Sequence, residues 1–332
     1  MDWITTACPG WLTPATGNWK AEFLRRWQSG GSGGATPSTP PLLGFNDPEN
    51  TGAGAWLKAQ GLAGLLVVPV FLTGAGQKLD FSAYAAAGIR VIVNLRYSWS
   101  TDCGGMGTFP VPGSIRETAF INAAVWTIRE SVGVWGWEIG NEANNPREFP
   151  AGAALTAASV AHVYNAIWDS VRVTDRLSHG ALDPFNAAAE DPRDWLRGIY
   201  TLAHGADFVA AHGYTRGPDP ALVGDPERFS DDPLRWQYRN YPGCVTALLE
   251  ALPDSYRELG VYVTEFCHLW KTSEATGDAG WVTDARAADV IRAAHAAAQM
   301  AGFAGIALYR WSGDAWAVSG NGAVLGAVGE IL

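Results

Sequence analysis

From residue 42 to the last residue the chain alternates eight short apolar runs with longer, Ala-rich amphipathic stretches, and this alternation restricts the fold more than any other feature. The runs cover 42–46, 64–70, 90–97, 134–141, 177–182, 208–214, 261–265 and 305–311. The stretches between them cover 51–60, 81–87, 114–130, 151–174, 192–204, 244–259 and 283–301, with a final turn at 324–332. Runs that are apolar at consecutive positions, such as Leu65-Leu66-Val67-Val68, belong to strands covered on both faces, and such strands lie in parallel sheets with helical crossovers. Eight units of this kind predict a closed (β/α)8 TIM barrel over 42–332, as one domain, rather than an open sheet. No internal repeat is visible at the level of sequence.

The length, 332 residues, fits one such barrel, whose chains span roughly 200 to more than 400 residues. With 48% hydrophobic and 17% charged residues the chain can bury a large core, and no unbroken apolar run approaches the roughly 20 residues of a membrane span. Neither a membrane nor a nucleic acid is expected as partner. The formal charge of −10 and a pI near 5.0 leave too few basic groups for a phosphate-binding surface, so neutral substrates fit better. Sixteen Trp supply flat faces suited to sugar rings, though Trp also fills cores. Cys8, Cys103, Cys244 and Cys267 form no CxxC pair, which signals neither a zinc site nor a redox dithiol. No metal or cofactor is expected, the thiols are read as free, and the chain is read as a monomer.

Residues 29–41, Ser-Gly-Gly-Ser-Gly-Gly-Ala-Thr-Pro-Ser-Thr-Pro-Pro, are dense in chain breakers and read as a linker or a long loop. The segment before them is too small to fold alone, so 1–41 is expected to be an arm packed on the barrel. The first residues lack a basic n-region and a sustained apolar stretch, the default of a cytoplasmic protein; a mature extracellular domain given a new Met would look identical. Three stretches after strand ends are long, 98–113, 215–243 and 266–282, and in a barrel they would wall a cleft at the C-terminal face.

Two of the apolar runs end in carboxylates about 120 residues apart, Glu142 after Val134-Trp135-Gly136-Trp137-Glu138-Ile139-Gly140-Asn141 and Glu265 after Val261-Tyr262-Val263-Thr264. Strand alternation puts Val261, Val263 and Glu265 on one face, and Gly136, Glu138, Gly140 and Glu142 on another unless a bulge redirects the last two. Glycoside cleavage with retention uses two carboxyl groups about 5–5.5 Å apart, one a nucleophile and the other a general acid that later acts as base. Glu138 reads as a structural carboxylate below such a site.

The stretch Trp137-Glu138-Ile139-Gly140-Asn141-Glu142 resembles the fourth-strand motif of glycoside hydrolase clan A, the retaining (β/α)8 glycosidases. By that resemblance Glu142 is the acid/base, Asn141 holds the sugar 2-hydroxyl and Glu265 is the seventh-strand nucleophile. The resemblance also gives His212-Gly213-Tyr214 to the end of strand six, with Tyr214 bonded to the nucleophile, and gives Trp311 the floor of the subsite where the bond breaks. His212 could equally be a core histidine. Asn94-Leu95-Arg96-Tyr97-Ser98 is similar to the Asp-Phe-His-Tyr-Ser of β-galactanases, with Arg96 in place of His; Arg96 either replaces the cation absent from strand two or pairs with an acidic neighbour. Gly44-Phe45-Asn46-Asp47-Pro48 is similar to a β-1,3-glucanase motif, so Asn46 could contact sugar while Asp47-Pro48 reads equally as a helix N-terminal turn. The resemblance implies a retaining glycosidase that cleaves a β-linked polysaccharide or oligosaccharide; the Trp-rich walls and Gly-rich loops lean toward an open cleft and endo action, while a crossing loop from 215–243 would block one end and give an exo enzyme. The alternatives are a catalytically weak carbohydrate-binding barrel and a metal-dependent hydrolase, the second disfavoured because only His212 and His268 lie near strand ends.

Overall fold

The computed structural model describes residues 40–48, 50–98, 107–185, 191–224, 240–269, 281–283, 285–313 and 316–332. The expected arm, 1–41, falls almost wholly outside them, as do 99–106, 225–239 and 270–280 of the three long loops, with Trp99 and Trp270. Within them each strand is followed by a helix: β1 (Leu42–Asn46), α1 (Ala53–Ala59), β2 (Leu65–Phe71), α2 (Ser82–Ala85), β3 (Arg90–Arg96), α3 (Ile115–Glu130), β4 (Gly136–Ile139), α4 (Ala157–Val171), β5 (Leu177–His179), α5 (Pro192–Leu202), β6 (Val209–Arg216), α6 (Gly243–Leu249), β7 (Val261–Leu269), α7 (Ala285–Ala301), β8 (Gly305–Tyr309) and α8 (Gly322–Ile331). The parallel ladder runs β5-β4-β3-β2-β1-β8-β7-β6. Its two edges meet where Asp207 N donates to Leu177 O at 2.8 Å and Ala210 N donates to Ser178 Oγ at 3.1 Å. This is the (β/α)8 barrel that the alternation predicts.

The continuous apolar strands divide by parity. Leu65, Val67, Ile92, Phe208, Ala210, Tyr262 and Ala307 fill the barrel axis. Their neighbours Leu66, Val68, Val91, Val93, Val209, Val263 and Ile306 face the helix layer. Each fully buried Leu, Ile or Phe of these layers contributes roughly 2–3 kcal/mol relative to exposure. At the N-terminal end of the barrel the Arg90 guanidinium lies 4.5 Å and that of Arg176 5.2 Å from the Trp135 ring centroid, which closes the axis on that side.

Strand seven departs from simple alternation. Ala211 pairs with Val263 but His212 pairs with Glu265, so Thr264 is an extra residue in β7, and the register with β8 shifts at the same place. The expectation that Val261, Val263 and Glu265 share the inner face is therefore corrected. Val261 and Val263 face the helices, Tyr262 faces the axis, and the bulge returns Glu265 to the inside.

Two helices are shorter than their apolar periodicity suggests, for local reasons. The 151–174 stretch becomes helical at Ala157 because Thr156 forms a capping box, its Oγ1 accepting from Ser159 N at 3.1 Å and its N donating to Ser159 Oγ at 2.9 Å. The 244–259 stretch stops after Leu249, four residues before Pro253. Ahead of α1, buried Asp47 accepts from Thr51 N and Thr51 Oγ1 through Oδ1 and from Gly52 N and Ala53 N through Oδ2, all at 3.0 Å. Asp47 thus holds the entry to a helix. Asp47→Ala will lower unfolding stability by about 2 kcal/mol, because three amides lose their side-chain acceptor; urea denaturation will show a lower midpoint at unchanged slope.

Candidate active site

The functional side chains gather at the C-terminal ends of the strands. After Ile139 the chain leaves β4 through Gly140 at φ +83° and reaches Glu142 at φ +43°, a left-handed conformation that costs a non-glycine residue about 1–2 kcal/mol. Bonds on both sides maintain it: Glu142 N donates to Ala181 O and Asn145 N to Glu142 O, each at 2.7 Å. The strand-end kink, rather than alternation alone, aims the Glu142 carboxylate. Asn141, 3% exposed, donates its backbone N–H to Thr108 Oγ1, and its side-chain Oδ1 has no hydrogen-bond partner among the described residues.

Glu265 is held by two donors, Tyr214 Oη to Oε2 at 2.7 Å and Arg96 Nη2 to Oε1 at 3.2 Å. His212 stands between the carboxylates. Its Nδ1 is 2.8 Å from Glu142 Oε1 and its Nε2 is 3.6 Å from Glu265 Oε1. One oxygen of each carboxylate and a His212 nitrogen all lie within 4.8 Å of one another. Glu265, His212, Arg96 and Tyr214 are buried and Glu142 is half-buried, so these charges interact with little screening.

Burial pushes the His212 imidazole down, but the Glu265 and Glu142 carboxylates outweigh it and hold its pKa up at about 9. Burial pushes Glu142 up, yet His212, Arg96 and the Asn145 amide together bring it below the ordinary value. Two further carboxyls sit in the same field. Asn145 Nδ2 bridges Glu142 Oε2 at 3.4 Å and Asp183 Oδ2 at 3.1 Å, and Asp183 is raised to about 7 by burial and then by the charge of Glu142. Glu148 is raised to about 7 by burial, reinforced by Glu142 and opposed by Arg96. Glu138, below them, accepts from Ala181 N at 2.8 Å and is raised by burial, opposed by the charge of His212.

These shifts set a direction for stability against pH. Asp183, Glu148 and His212 all have folded pKa values above their unfolded ones, so the folded chain binds their protons more tightly. Their contribution is complete below the unfolded values and is lost as pH rises through about 7 for the two carboxyls and about 9 for His212. Melting temperature will therefore fall between pH 6 and pH 9, and Asp183→Asn will flatten the lower part of that fall. A flat profile in the wild type would contradict the burial of these groups.

Of the residues singled out from the sequence, the structure brings together Glu142, Glu265, His212, Tyr214 and Arg96, with Asn141 beside Glu142. Of the two readings left open for Arg96, the structure shows the pairing with an acidic neighbour, and that neighbour is Glu265. Asn46 supports the site from β1, its Nδ2 donating to Thr264 O at the β7 bulge at 3.1 Å, with Oδ1 unpartnered among the described residues. Trp311 packs against Phe45 and Trp56 at centroid distances of 5.0 and 6.1 Å. The strand-eight aromatic in the field of the carboxylates is Tyr309, raised by burial and then by the charge of Glu265. Trp281 fixes Tyr309 by donating Nε1–H to its carbonyl at 2.7 Å.

Sequence reading missed Asn94, Asn145, Asp183, Glu148 and Tyr309. Asp183-Pro184 at the end of the fifth apolar run was the one visible signal, since it repeats the Asp-Pro that follows the first. Glu142, His212 and Glu265 have the spacing of a metal-ligand trio. The Arg96 guanidinium on Glu265 and the charge on His212 disfavour a cation there, so the donor set suits a carboxylate pair better than a metal. Among the described residues, Cys244 and Cys267 are free and buried, and no helix is long and apolar enough to cross a membrane.

No family model and no curated protein sequence matches the chain. Solved structures do. A glucosidase from Croceicoccus marinus superposes with a TM-score of 0.58 at 12% identity, over 91% of this chain and 69% of that one. The GH39 enzyme from Xanthomonas axonopodis pv. citri gives 0.54 at 15% identity over 90% and 70%, and XacCel5A in complex with cellopentaose gives 0.52 at 10% over 88% and 99%. At such identities the likeness establishes architecture, and the chain has the barrel fold of glycoside hydrolases, including that of the clan its strand-four motif resembles.

Proposed function

We propose that the protein is a retaining glycosidase that cleaves β-linked polysaccharide or oligosaccharide by double displacement. The observation that carries this reading is the pair of Glu142 and Glu265, with an oxygen of each within 4.8 Å, held by different partners. That separation suits the retaining mechanism, in which the two carboxyl groups lie about 5–5.5 Å apart, and leaves too little room for the water of the inverting one.

In the first step a Glu265 oxygen attacks the anomeric carbon while the leaving glycosidic oxygen takes a proton from Glu142. Tyr214 and Arg96 keep the attacking carboxylate oriented and charge-balanced. The proton that Glu142 delivers belongs to the Glu142–His212 pair, whose titration is shared across the 2.8 Å contact. In the second step Glu142, now ionised, takes a proton from water, which displaces Glu265 and releases the sugar with its original configuration. Asn141 is placed to bond the sugar 2-hydroxyl, a contact that strengthens as the ring gains positive charge. The Trp content and the net charge of −10 favour an uncharged polymer, and in this reading the enzyme acts in endo fashion as a monomer.

The test is hydrolysis of a panel of β-linked polysaccharides and aryl glycosides, with the first-formed anomer followed by NMR. A β product from wild type, absent for Glu142→Gln and Glu265→Gln, is expected. An α product first, or turnover that survives both substitutions, would overturn the mechanism. Binding without hydrolysis across the whole panel would favour a carbohydrate-binding barrel.

A further inference from the structure

Asn94 lies on β3 between the elements that carry the two carboxylates, is 1% exposed, and uses both ends of its amide. Its Oδ1 accepts from Arg96 Nε, and Arg96 in turn donates Nη2 to Glu265 of β7. Its Nδ2 donates at 2.6 Å to the carbonyl of Gly140, the left-handed residue through which β4 turns toward Glu142. The same Gly140 donates its N–H to Leu95 O at 2.8 Å, so β3 holds this residue through both its N–H and its C=O. On the far side Gly180 has no room to spare: a Cβ there would stand 2.2 Å from the Gly140 oxygen. Asn94 is thus the one described side chain bonded both to the support of Glu265 and to the backbone turn that presents Glu142.

We propose that Asn94 is a positioning residue that sets the two carboxylates relative to each other, through Arg96 on one side and the Gly140 carbonyl on the other. The role rests on the glycosidase reading above. Asn suits it because one planar amide supplies an acceptor for guanidinium and a donor for carbonyl in fixed relation. Aspartate offers the first and not the second; leucine offers neither. Loss of the amide leaves Arg96 Nε and the Gly140 carbonyl without their partner, and the Glu142 turn and Arg96 can each relax by a fraction of an ångström.

Asn94→Ala is expected to lower kcat by about 10- to 100-fold on the aryl β-glycoside that wild type turns over best, with KM changed less than about threefold, the pattern of misplaced reacting groups. Active sites are counted by trapping with a 2-deoxy-2-fluoro glycoside and intact-mass analysis, so that kcat refers to folded, competent enzyme. In an Arg96→Ala background the same substitution is expected to cost less than half as much on a logarithmic scale, because part of its effect passes through Arg96. The isosteric Asn94→Asp, measured in the same way, covers the case in which the Ala variant is insoluble, and it too should lose turnover for want of the donor to Gly140.

A kcat per active site within twofold of wild type for both variants overturns the role. So does a loss explained by fewer competent sites, or full additivity with Arg96→Ala. A trapped label on a residue other than Glu265 in wild type, or a wild type inactive on every substrate, refutes the glycosidase reading first and this role with it.

Discussion

Glu265→Ala will lower kcat/KM by about 100,000-fold, and added azide will restore turnover of an activated aryl β-glycoside to give the α-glycosyl azide. The expectation follows from where Glu265 stands. Tyr214 and Arg96 aim its two oxygens, and among the described residues no other carboxylate is given that pair of donors. Truncation opens space at the attacking face, where a small anion can stand in for the carboxylate and displace the leaving group once, with inversion. The partner substitution gives the opposite product. In Glu142→Ala a glycosyl-Glu265 intermediate still forms from a good leaving group, and azide attacks it from the β face with no base needed, giving the β-glycosyl azide. Product stereochemistry read by NMR therefore assigns the two roles independently of rate. The same azide anomer from both variants would refute the assignment.

The largest effect on folding is expected at Gly44. In the ladder Gly44 pairs with Leu65, and a Cβ built on it would stand 1.7 Å from the Leu65 carbonyl oxygen and 2.6 Å from its carbon. Both atoms are backbone in the interior of a closed sheet and cannot turn aside as a side chain can. Gly44→Ala will either separate β1 from β2 or displace the ladder around the barrel, at a cost above about 4 kcal/mol, beyond the usual range of overpacking. Thermal denaturation, or loss of soluble protein, will report it. Gly326 in α8 is the control, since a Cβ there meets nothing within 4 Å. Gly326→Ala should be neutral or add up to about 1 kcal/mol through helix propensity. Equal melting temperatures for the two variants would refute the close approach at Gly44.

The barrel was legible because its signal is distributed. Eight apolar runs and their helices need only local parity and local periodicity, and an error at one boundary leaves the count unchanged. The two strand-end carboxylates were legible for a related reason, since a charge that terminates a buried strand must have a use or a partner. What local pattern could not supply is phase across a defect. The extra residue at Thr264 reverses the facing of β7, and nothing in Val-Tyr-Val-Thr-Glu announces it, because a bulge is set by pairing with β6 and β8. Tyr309 and Trp311 show the same limit at β8, where two aromatics lie two residues apart and only the folded structure puts Tyr309 in the field of the carboxylates and Trp311 against Phe45 and Trp56.

By itself the sequence determined the eightfold βα order, the two buried layers and the residues Glu142 and Glu265, because each depends on neighbours close in the chain. Tertiary structure alone decided that His212 stands between those carboxylates, that Arg96 faces Glu265 across 169 positions, and that Asn145 joins Glu142 to Asp183. Those contacts bring together groups from different strands. Their pKa values depend on shared burial and mutual charge, which exist only once the barrel has closed and excluded water from between them.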